Sequence, residues 1–229
     1  MIKVIPEETY WEKANRTRMG IYITNTEMHF IFNSQSLREY GLAVDVGAGA
    51  GRFSLPLAKS MCVVAIDLDM YALKRLKFKN RNINVILADA RFMPLKQGVA
   101  NNVIMIELLD YVAELKTVIF ECSRVLKNYG SVIFSFGNKS SIKGKMKDII
   151  GKPYLHSYKE VLNALKNTEL KIIKKEGFSW LPFDRVSNNP SVPLFAKMEK
   201  YSRLGKLIRF SPWIMIQAIK VATACADAE

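Results

Sequence analysis

The chain has few of the residues that build metal centres or disulfide frameworks. Its 229 residues include two histidines and three cysteines, and none of the cysteines (Cys62, Cys122 and Cys225) stands in a C-x-x-C spacing. Structural zinc sites and disulfide scaffolds are recognised by such spacings, so we expect neither of them, and no metal. Scattered, unpaired cysteines are usual in a reducing compartment, and the sequence therefore predicts a cytoplasmic protein.

Long apolar runs are also missing. A transmembrane helix needs roughly 18 apolar residues in succession, and no such stretch occurs. The first residues lack the apolar core of a signal peptide. The best membrane candidate, residues 213–226, is interrupted by Gln217 and Lys220, and we interpret it as a strand followed by a tail. The sequence has neither internal repeats nor low-complexity segments, and its length suits one domain.

Positive charge is in excess and is unevenly distributed. The formal net charge is +13, of which +3 falls in residues 1–110 and +10 in residues 111–229. Basic fields attract nucleic acids, anionic lipid surfaces and anionic small molecules. All three stay open as partners, beside the simpler interpretation that the charge only solubilises the surface.

The most informative motif is the run VDVGAGAGRF over residues 44–53. A hydrophobic strand gives way to the alternating glycines Gly47, Gly49 and Gly51, and then to a predicted helix over residues 52–60. Glycine allows a ligand to approach the backbone closely, and a helix N-terminus favours anionic groups. The motif therefore predicts a site for a nucleotide-like ligand. Arg52 stands where the dinucleotide fingerprint GxGxxG requires its last glycine, which favours S-adenosylmethionine (SAM) over NAD.

Strands and helices alternate through the first part of the chain. The predicted strands are 42–46, 62–66, 84–87, 103–107 and 131–135, and the predicted helices between them are 52–60, 72–79 and 115–126. Such alternation predicts a parallel sheet with helices on both faces and a ligand edge at the carboxyl ends of the strands. After it we predict a helix over 157–166, strands over 170–175 and 214–220, and a helical run over 193–207.

Acidic residues follow the predicted strands at this edge. Asp67 closes the second strand, where a carboxylate can accept both ribose hydroxyls of an adenosine, and Leu68 can cover the adenine face. Asp89 closes the third strand, where it can meet the adenine amino group. Glu107 closes the fourth strand and is expected beside the reacting centre.

Five segments in order resemble the class I SAM-dependent methyltransferases, of the type that acts on small molecules or in ubiquinone biosynthesis. They are VDVGAGAGRF (44–53), VVAIDLD (63–69), NVILADARFMPL (84–95), NNVIMIELLDYV (101–112) and ECSRVLKNYGSVIFS (121–135). The last has Asn128-Tyr129-Gly130 where the family usually has Pro-Gly-Gly. The resemblance is strong over residues 40–136 and weak elsewhere.

The resemblance implies an α/β, Rossmann-like fold: a seven-stranded, mostly parallel sheet with an antiparallel last strand, helices on both faces and an N-terminal helical cap. It implies SAM as cofactor and S-adenosylhomocysteine as product. The implied cofactor-binding residues are Asp45, Gly47, Ala48 and Gly49 for the methionine part, Asp67 for the ribose, Leu68, Asp89 and Ala90 for the adenine, and Glu107 and Leu108 near the sulfonium. One domain is expected, divided into a cap (1–40), a SAM-binding core (41–177), a substrate or lid insertion (178–210) and a last strand with tail (211–229).

The sequence says less about the methyl acceptor and the catalytic residues than about the cofactor. We predict methyl transfer to a small molecule that is apolar, anionic or lipid-like, with Glu107, Asp110 and His156 as the catalytic candidates. Two alternatives keep the cofactor: a methyltransferase that acts on RNA or another polyanion, and a SAM-binding protein without turnover. An NAD-dependent oxidoreductase is a further alternative, against which Arg52 argues.

A basic amphipathic segment lies in the predicted insertion. Five cationic residues alternate there with large apolar ones: Lys197, Lys200, Arg203, Lys206 and Arg209. Such a helix can lie on an anionic membrane surface, or its apolar face can cover a substrate pocket as a lid. We favour the lid.

Overall fold

The structure, a computed structural model, describes residues 7–34, 40–149 and 154–222. Its strands are β1 (Leu42–Val46), β2 (Cys62–Asp67), β3 (Asn84–Leu87), β4 (Ala100–Met105), β5 (Leu126–Gly137), β6 (Leu170–Phe178) and β7 (Trp213–Lys220). Its α-helices are α1 (Tyr10–Ala14), α2 (Arg18–Phe32), α3 (Ser54–Leu57), α4 (Met70–Lys79), α5 (Leu115–Val125), α6 (Ile142–Ile149), α7 (Tyr158–Lys166) and α8 (Val192–Ser202). Cys225 and the outer parts of the predicted cap and tail lie outside the described residues.

The strands form one sheet in the order β3-β2-β1-β4-β5-β7-β6. β1 to β5 pair in parallel, and β7 runs antiparallel to both of its neighbours, β5 and β6. This confirms the predicted seven-stranded sheet with an antiparallel last strand. The chain adds β2 on one side of β1 and later adds β4 on the other side. Because the direction of the strand order changes here, a crevice opens between the carboxyl ends of β1 and β4.

The central strands are buried on both faces, because helices cover each side of the sheet. One face packs Val44, Val46 and Phe134 under α5 and α7. The other packs Ala65 and Ile104 against α2, α3 and α4. A strand with two covered faces needs apolar residues at nearly every position, which is why the sequence showed continuous apolar runs here.

The N-terminal helices are tied to the rest of the molecule at defined points. Thr9 and Glu12 form a reciprocal capping box at the start of α1. Glu12 also pairs with Arg75 and Lys79 of α4, at 2.5 and 2.7 Å. Burial alone would raise the pKa of Glu12, but the hydrogen bonds from the two cations lower it to about 2. This short helix is therefore fastened to α4 by charge.

Two sequence interpretations about the last part of the chain are confirmed. The helix predicted over residues 157–166 is α7, which begins with a capping box formed by Ser157 and Glu160. The apolar segment that begins at Trp213 is a strand, β7. Across the described ranges, no helix combines the length and the apolar character needed to cross a bilayer.

Candidate functional site

A cavity of about 580 Å³ opens at the carboxyl edge of the sheet. This volume lies within the range of roughly 300–1,000 Å³ that is usual for small-molecule sites. Its walls come from the glycine loop, the ends of β1, β2 and β4, the turn after β3, and helix α1 with the residues beside it. The lining residues include Trp11, Asn15, Arg16, Gly47, Ala48, Gly49, Gly51, Arg52, Asp67, Leu68, Asp89, Ala90, Glu107, Leu108, Tyr111 and Arg185.

The glycine loop depends on backbone torsions that other residues resist. Gly47, Gly49 and Gly51 have φ of 75°, 51° and 90°. A Cβ at Gly51 would lie 2.3 Å from Leu76 Cδ1, so this glycine allows the loop to pack on α4. A Cβ at Gly49 would meet nothing within 4 Å, which leaves open space on the cavity side of the loop.

Asp67 holds this loop from the end of β2. Its carboxylate accepts hydrogen bonds from the N–H of Gly49 at 2.7 Å and from the N–H of Asp69 at 2.8 Å. Leu68, which follows it, is 68% exposed and lines the cavity. Asp69 is the N-cap of α4 and accepts from the N–H groups of Tyr71 and Ala72. The carboxylate of Asp67 thus stands on the cavity wall with its backbone partners already fixed.

Asp45 is buried beneath the loop and does not line the cavity. Its carboxylate accepts a hydrogen bond of 2.5 Å from the hydroxyl of Ser54, the first residue of α3. Burial raises its pKa to about 6, although the bond from Ser54 works in the opposite direction. The structure thus places Asp45 behind the lining of the cavity, with its carboxylate on the Ser54 hydroxyl, and its contact with the methionine part stays a prediction.

Asp89 and Ala90 lie on the opposite side of the cavity. The Asp89 carboxylate pairs with the Arg91 guanidinium at 2.7 Å, and this hydrogen bond lowers the pKa of Asp89. Arg91 reaches on to Glu114 at 2.8 Å. Ala90 is buried beside them. Asp89 remains ionised at neutral pH and can accept from a ligand while it stays paired.

A cluster of two carboxylates and two guanidinium groups borders the cavity, and three of its members, Arg52, Glu107 and Arg185, line it. Glu107 lies just after β4 and accepts from Arg52 at 3.0 Å and from Arg185 at 3.1 Å. Arg52 also lies 3.0 Å from Glu27, a fully buried residue of α2. The cluster joins the N-terminal helices, the glycine loop, the end of β4 and the segment before α8.

The two carboxylates of the cluster differ in their affinity for protons. Burial raises the pKa of Glu27 to about 8, and Arg52 offsets only part of that effect. Burial acts in the same direction on Glu107, but Arg52 and Arg185 together lower its pKa. Glu107 is therefore a weak base, better suited to anchoring cations than to removing a proton.

The backbone at Glu107 is strained. Its φ is +58°, in the left-handed region, which costs roughly 1–2 kcal/mol for a residue with a Cβ. The N–H of Glu107 donates to the hydroxyl of Ser135 on β5 at 2.9 Å. Strain of this kind is typical of functional positions, because surrounding contacts must maintain it. Here it turns the side chain toward the two arginines.

Aromatic side chains and Arg185 form a wall over the outer part of the cavity. The rings of Trp11 and Tyr111 meet edge to face at 6.5 Å between centroids, and Arg185 lies 6.0 Å from the Trp11 ring. The Arg185 guanidinium also donates to the side chain of Asn15 at 2.7 Å. We call Trp11, Asn15, Tyr111 and Arg185 the roof of the cavity.

The geometry brings one of the three predicted catalytic residues to the cavity, Glu107. Asp110 is turned toward β5, where its carboxylate accepts from the N–H of Gly137 at 2.8 Å. Nε2 of His156 lies 3.1 Å from the carbonyl of Leu109 and 3.0 Å from that of Val112, and the ring is buried. Neither residue lines the cavity, and both bond to the backbone around the segment that follows β4, so their catalytic role stays a prediction.

The predicted lid does not cover the cavity with its apolar face. Leu194, Met198 and Tyr201 of α8 are exposed, and no residue of α8 lines the cavity. The insertion reaches the cavity through Arg185 instead. Its neighbours attach to α2, where Met19 N–H donates to the carbonyl of Ser187 at 3.0 Å.

Sequence reasoning missed Glu27 and most of the roof. Glu27 had a usable signal, because it interrupts the apolar face of α2 between Ile23 and Phe30, four and three residues away. No such signal marked the other three residues, Trp11, Asn15 and Arg185, because they lie outside the recognised motifs and meet only through the tertiary fold.

Comparison with known proteins finds a matching family and a related sequence. Residues 44–134 match a family described as a methyltransferase domain. An uncharacterized protein of Methanocaldococcus jannaschii is 29% identical over 153 residues, which is 64% of this chain and 72% of that protein.

Solved structures share the fold over most of the chain. A SAM-dependent methyltransferase of Thermotoga maritima, described as a possible histamine N-methyltransferase, has a TM-score of 0.65 at 15% identity and covers 92% of this chain and 94% of its own. Geranyl diphosphate C-methyltransferase of Streptomyces coelicolor, in complex with Mg²⁺, geranyl diphosphate and S-adenosylhomocysteine, has a TM-score of 0.65 at 16% identity, with shares of 94% and 85%.

Proposed function

We propose that this chain, whose residues 44–134 match a methyltransferase domain, transfers the methyl group of SAM to a small-molecule acceptor held under the roof of the cavity. The observation that carries this proposal is that Trp11, Tyr111 and Arg185 line one wall of a cavity of about 580 Å³ beside the glycine loop. A roofed site of this volume admits a small molecule. A polynucleotide backbone needs a basic groove. The lining of this cavity has more carboxylates than cations, which favours a small acceptor over RNA.

The residues on the donor side of the cavity fit SAM. The open space above Gly49 accommodates a ligand against the loop, and the Asp67 carboxylate beside it suits two vicinal hydroxyls. We assign Asp67 to the ribose, Leu68, Asp89 and Ala90 to the adenine, and Gly47, Ala48, Gly49 and Leu108 to the methionine end. Asp45 supports that end by fixing Ser54.

The proposed catalysis rests on alignment. When bound, SAM supplies an electrophilic methyl group on a sulfonium. Methyl transfer then needs chiefly a nucleophile that is held in line, and enclosure supplies that orientation. Arg185 and Tyr111 would position the acceptor, while Glu107 keeps Arg185 in place through their 3.1 Å contact. The acceptor class that suits these walls has an apolar body and a polar or anionic group for Arg185.

This assignment divides the chain by function. Residues 41–177 would bind the donor and add Tyr111 to the roof, residues 1–40 would supply Trp11 and Asn15, and the insertion 178–210 would add Arg185. Residues 211–229 would contribute the last strand and the tail.

Calorimetric titration tests the donor side. The wild type should bind SAM and S-adenosylhomocysteine, and Asp67→Ala should abolish binding. Asp67→Asn keeps the shape but loses the charge, and it should weaken binding by about ten- to a hundredfold, as expected for hydrogen bonds to a charged group. Glu176→Ala, which removes an exposed carboxylate from the edge strand β6, should leave the affinity unchanged. Equal affinities for wild type and Asp67→Asn would overturn the ribose assignment.

Transfer of labelled methyl groups tests the acceptor side. The enzyme is incubated with labelled SAM and with cell extract that has been separated into a small-molecule fraction and a nucleic-acid fraction. We expect label in the small-molecule fraction. Label in RNA would replace our proposal with the polyanion alternative, and binding without transfer to either fraction would indicate a SAM-binding protein without turnover.

A further inference from the structure

An apolar surface on the outer side of the insertion has no partner within the described residues. Leu194, Met198 and Tyr201 of α8 are 60%, 57% and 75% exposed, and Leu207 and Phe210 beyond the helix are 50% and 63% exposed. We call these five residues the outer apolar face. Exposed apolar side chains that occur singly need no explanation, but five of them within one short segment indicate an interaction site.

The orientation of α8 explains why this face points outward. Val192, Ala196 and Glu199 turn the opposite side of the helix toward the core. Glu199 is buried and accepts the N–H of Trp180 at 3.1 Å. Because residues 194, 198 and 201 recur at spacings of four and three, they form one stripe on the other side of the helix.

Positive charge surrounds the outer apolar face. All five cationic residues of the segment 192–210 are exposed: Lys197, Lys200, Arg203, Lys206 and Arg209. Glu199 is the sole acidic residue of the segment, and it is buried. The exposed surface of this segment therefore combines apolar side chains with charge of a single sign.

We propose that the outer apolar face docks on an anionic lipid bilayer. Large apolar side chains enter the boundary between headgroups and acyl chains, while lysine and arginine at their rim pair with anionic headgroups. The burial of five apolar side chains and the attraction of five cations to anionic headgroups both favour an anionic bilayer on this face.

The charge argues against a second copy of the chain on this face. In a two-fold interface the same patch meets itself, so five cations would face five cations without acidic partners. Nucleic acid would satisfy the cations but would leave Leu194 and Met198 without apolar contacts, because phosphate neutralisation carries most of its binding.

This inference does not depend on methyl transfer. The outer apolar face and the cavity share the insertion but no residue. SAM titration therefore tests the cavity, and lipid binding tests the outer apolar face. A failure of either proposal is therefore distinguishable from a failure of the other.

Vesicle sedimentation with the full-length protein tests the inference. One set of vesicles contains phosphatidylcholine alone, and the other contains phosphatidylcholine and phosphatidylglycerol in equal parts. We expect sedimentation with the anionic vesicles, weaker sedimentation at high salt, and little with the neutral ones. Lys200→Gln should lower the partition coefficient about fivefold, the usual effect of one basic residue near an anionic surface.

Charge placed within the outer apolar face should have a larger effect. Met198→Glu, and independently Leu194→Glu, should reduce partitioning more than tenfold, because each introduces an anion at the lipid boundary. Phe120→Glu is the matched control, since Phe120 is 58% exposed on α5, on the opposite face of the sheet. It should sediment like the wild type, and unchanged thermal unfolding of each variant confirms its fold.

Several results would overturn the inference. They are wild-type protein that sediments with neither vesicle, equal sedimentation with both, and full binding by Met198→Glu and Leu194→Glu. A dimer in sedimentation velocity that Met198→Glu dissociates would identify a second copy as the occupant. A gel shift with RNA that Met198→Glu abolishes, without vesicle binding, would identify nucleic acid.

Discussion

Replacing Glu27 by glutamine should remove a pH dependence from the stability of this protein. Glu27 is fully buried, and burial raises its pKa to about 8 from an ordinary value of 4.5. Between these two pH values the folded protein retains a proton that the unfolded chain has released. The stability linked to this proton is complete below pH 4.5 and is lost as the pH rises through about 8.

The size of the effect follows from the two pKa values. Between about pH 6 and about pH 8, the wild type should lose roughly 2 kcal/mol of unfolding free energy through this one residue. Glu27→Gln keeps the neutral form at every pH and should lack this loss. Asp45 has a pKa of about 6 and titrates mostly below this window. Glu107, with its lowered pKa, stays ionised in both states.

Urea unfolding at a series of pH values measures this difference. The unfolding free energy of Glu27→Gln minus that of the wild type should rise by roughly 2 kcal/mol across the window. Glu121→Gln is the matched control, because the Arg124 hydrogen bond lowers the pKa of Glu121 and keeps it ionised throughout. Its difference from the wild type should not change with pH.

One result would refute the reasoning. If the wild type and Glu27→Gln keep a constant difference from pH 6 to pH 8, Glu27 is already ionised at neutral pH, in an ion pair with Arg52. The 3.0 Å contact would then outweigh burial.

Two further predictions concern backbone conformation. Gly51→Ala should destabilise the fold by about 1–3 kcal/mol and weaken SAM binding, because its Cβ would lie 2.3 Å from Leu76 Cδ1 at a φ of 90°. Thermal unfolding and calorimetry measure the two effects, and unchanged values would contradict the prediction. Tyr129→Gly should stabilise the fold by about 0.5–1 kcal/mol, because Tyr129 is exposed at a φ of 63°, which glycine adopts without strain. Urea unfolding measures this gain. The control Tyr129→Ala retains the strain and should show no gain.

The proposed donor side of the cavity was predictable because its signals are local. The glycine spacing and the acidic strand ends lie in short segments, and a parallel sheet brings all of these ends to one edge. Asp67, Asp89 and the glycine loop therefore meet at the cavity as expected. The first strand was predicted with its observed bounds, residues 42–46.

Other boundaries depended on torsions that composition does not reveal. The helix predicted over 52–60 is Ser54–Leu57, because the glycine loop occupies the first positions. The fourth strand was predicted to end at Glu107 but ends at Met105, and the φ of +58° at Glu107 is incompatible with a strand. The acceptor side could not be predicted, since Asn15 and Arg185 are far apart in sequence and meet only in the folded chain.

The attachment of the insertion to α2 has a consequence for the evolution of the proposed acceptor site. Met19 donates its backbone N–H to the backbone carbonyl of Ser187, and the N–H of Arg18 donates to the side chain of Asn188 at 3.1 Å. The Met19–Ser187 bond joins two main-chain atoms and therefore survives most substitutions. Neighbouring side chains that face the acceptor can therefore diverge while this attachment is maintained. A lineage with this scaffold can change its substrate range by point substitution and keep one inherited methyl donor.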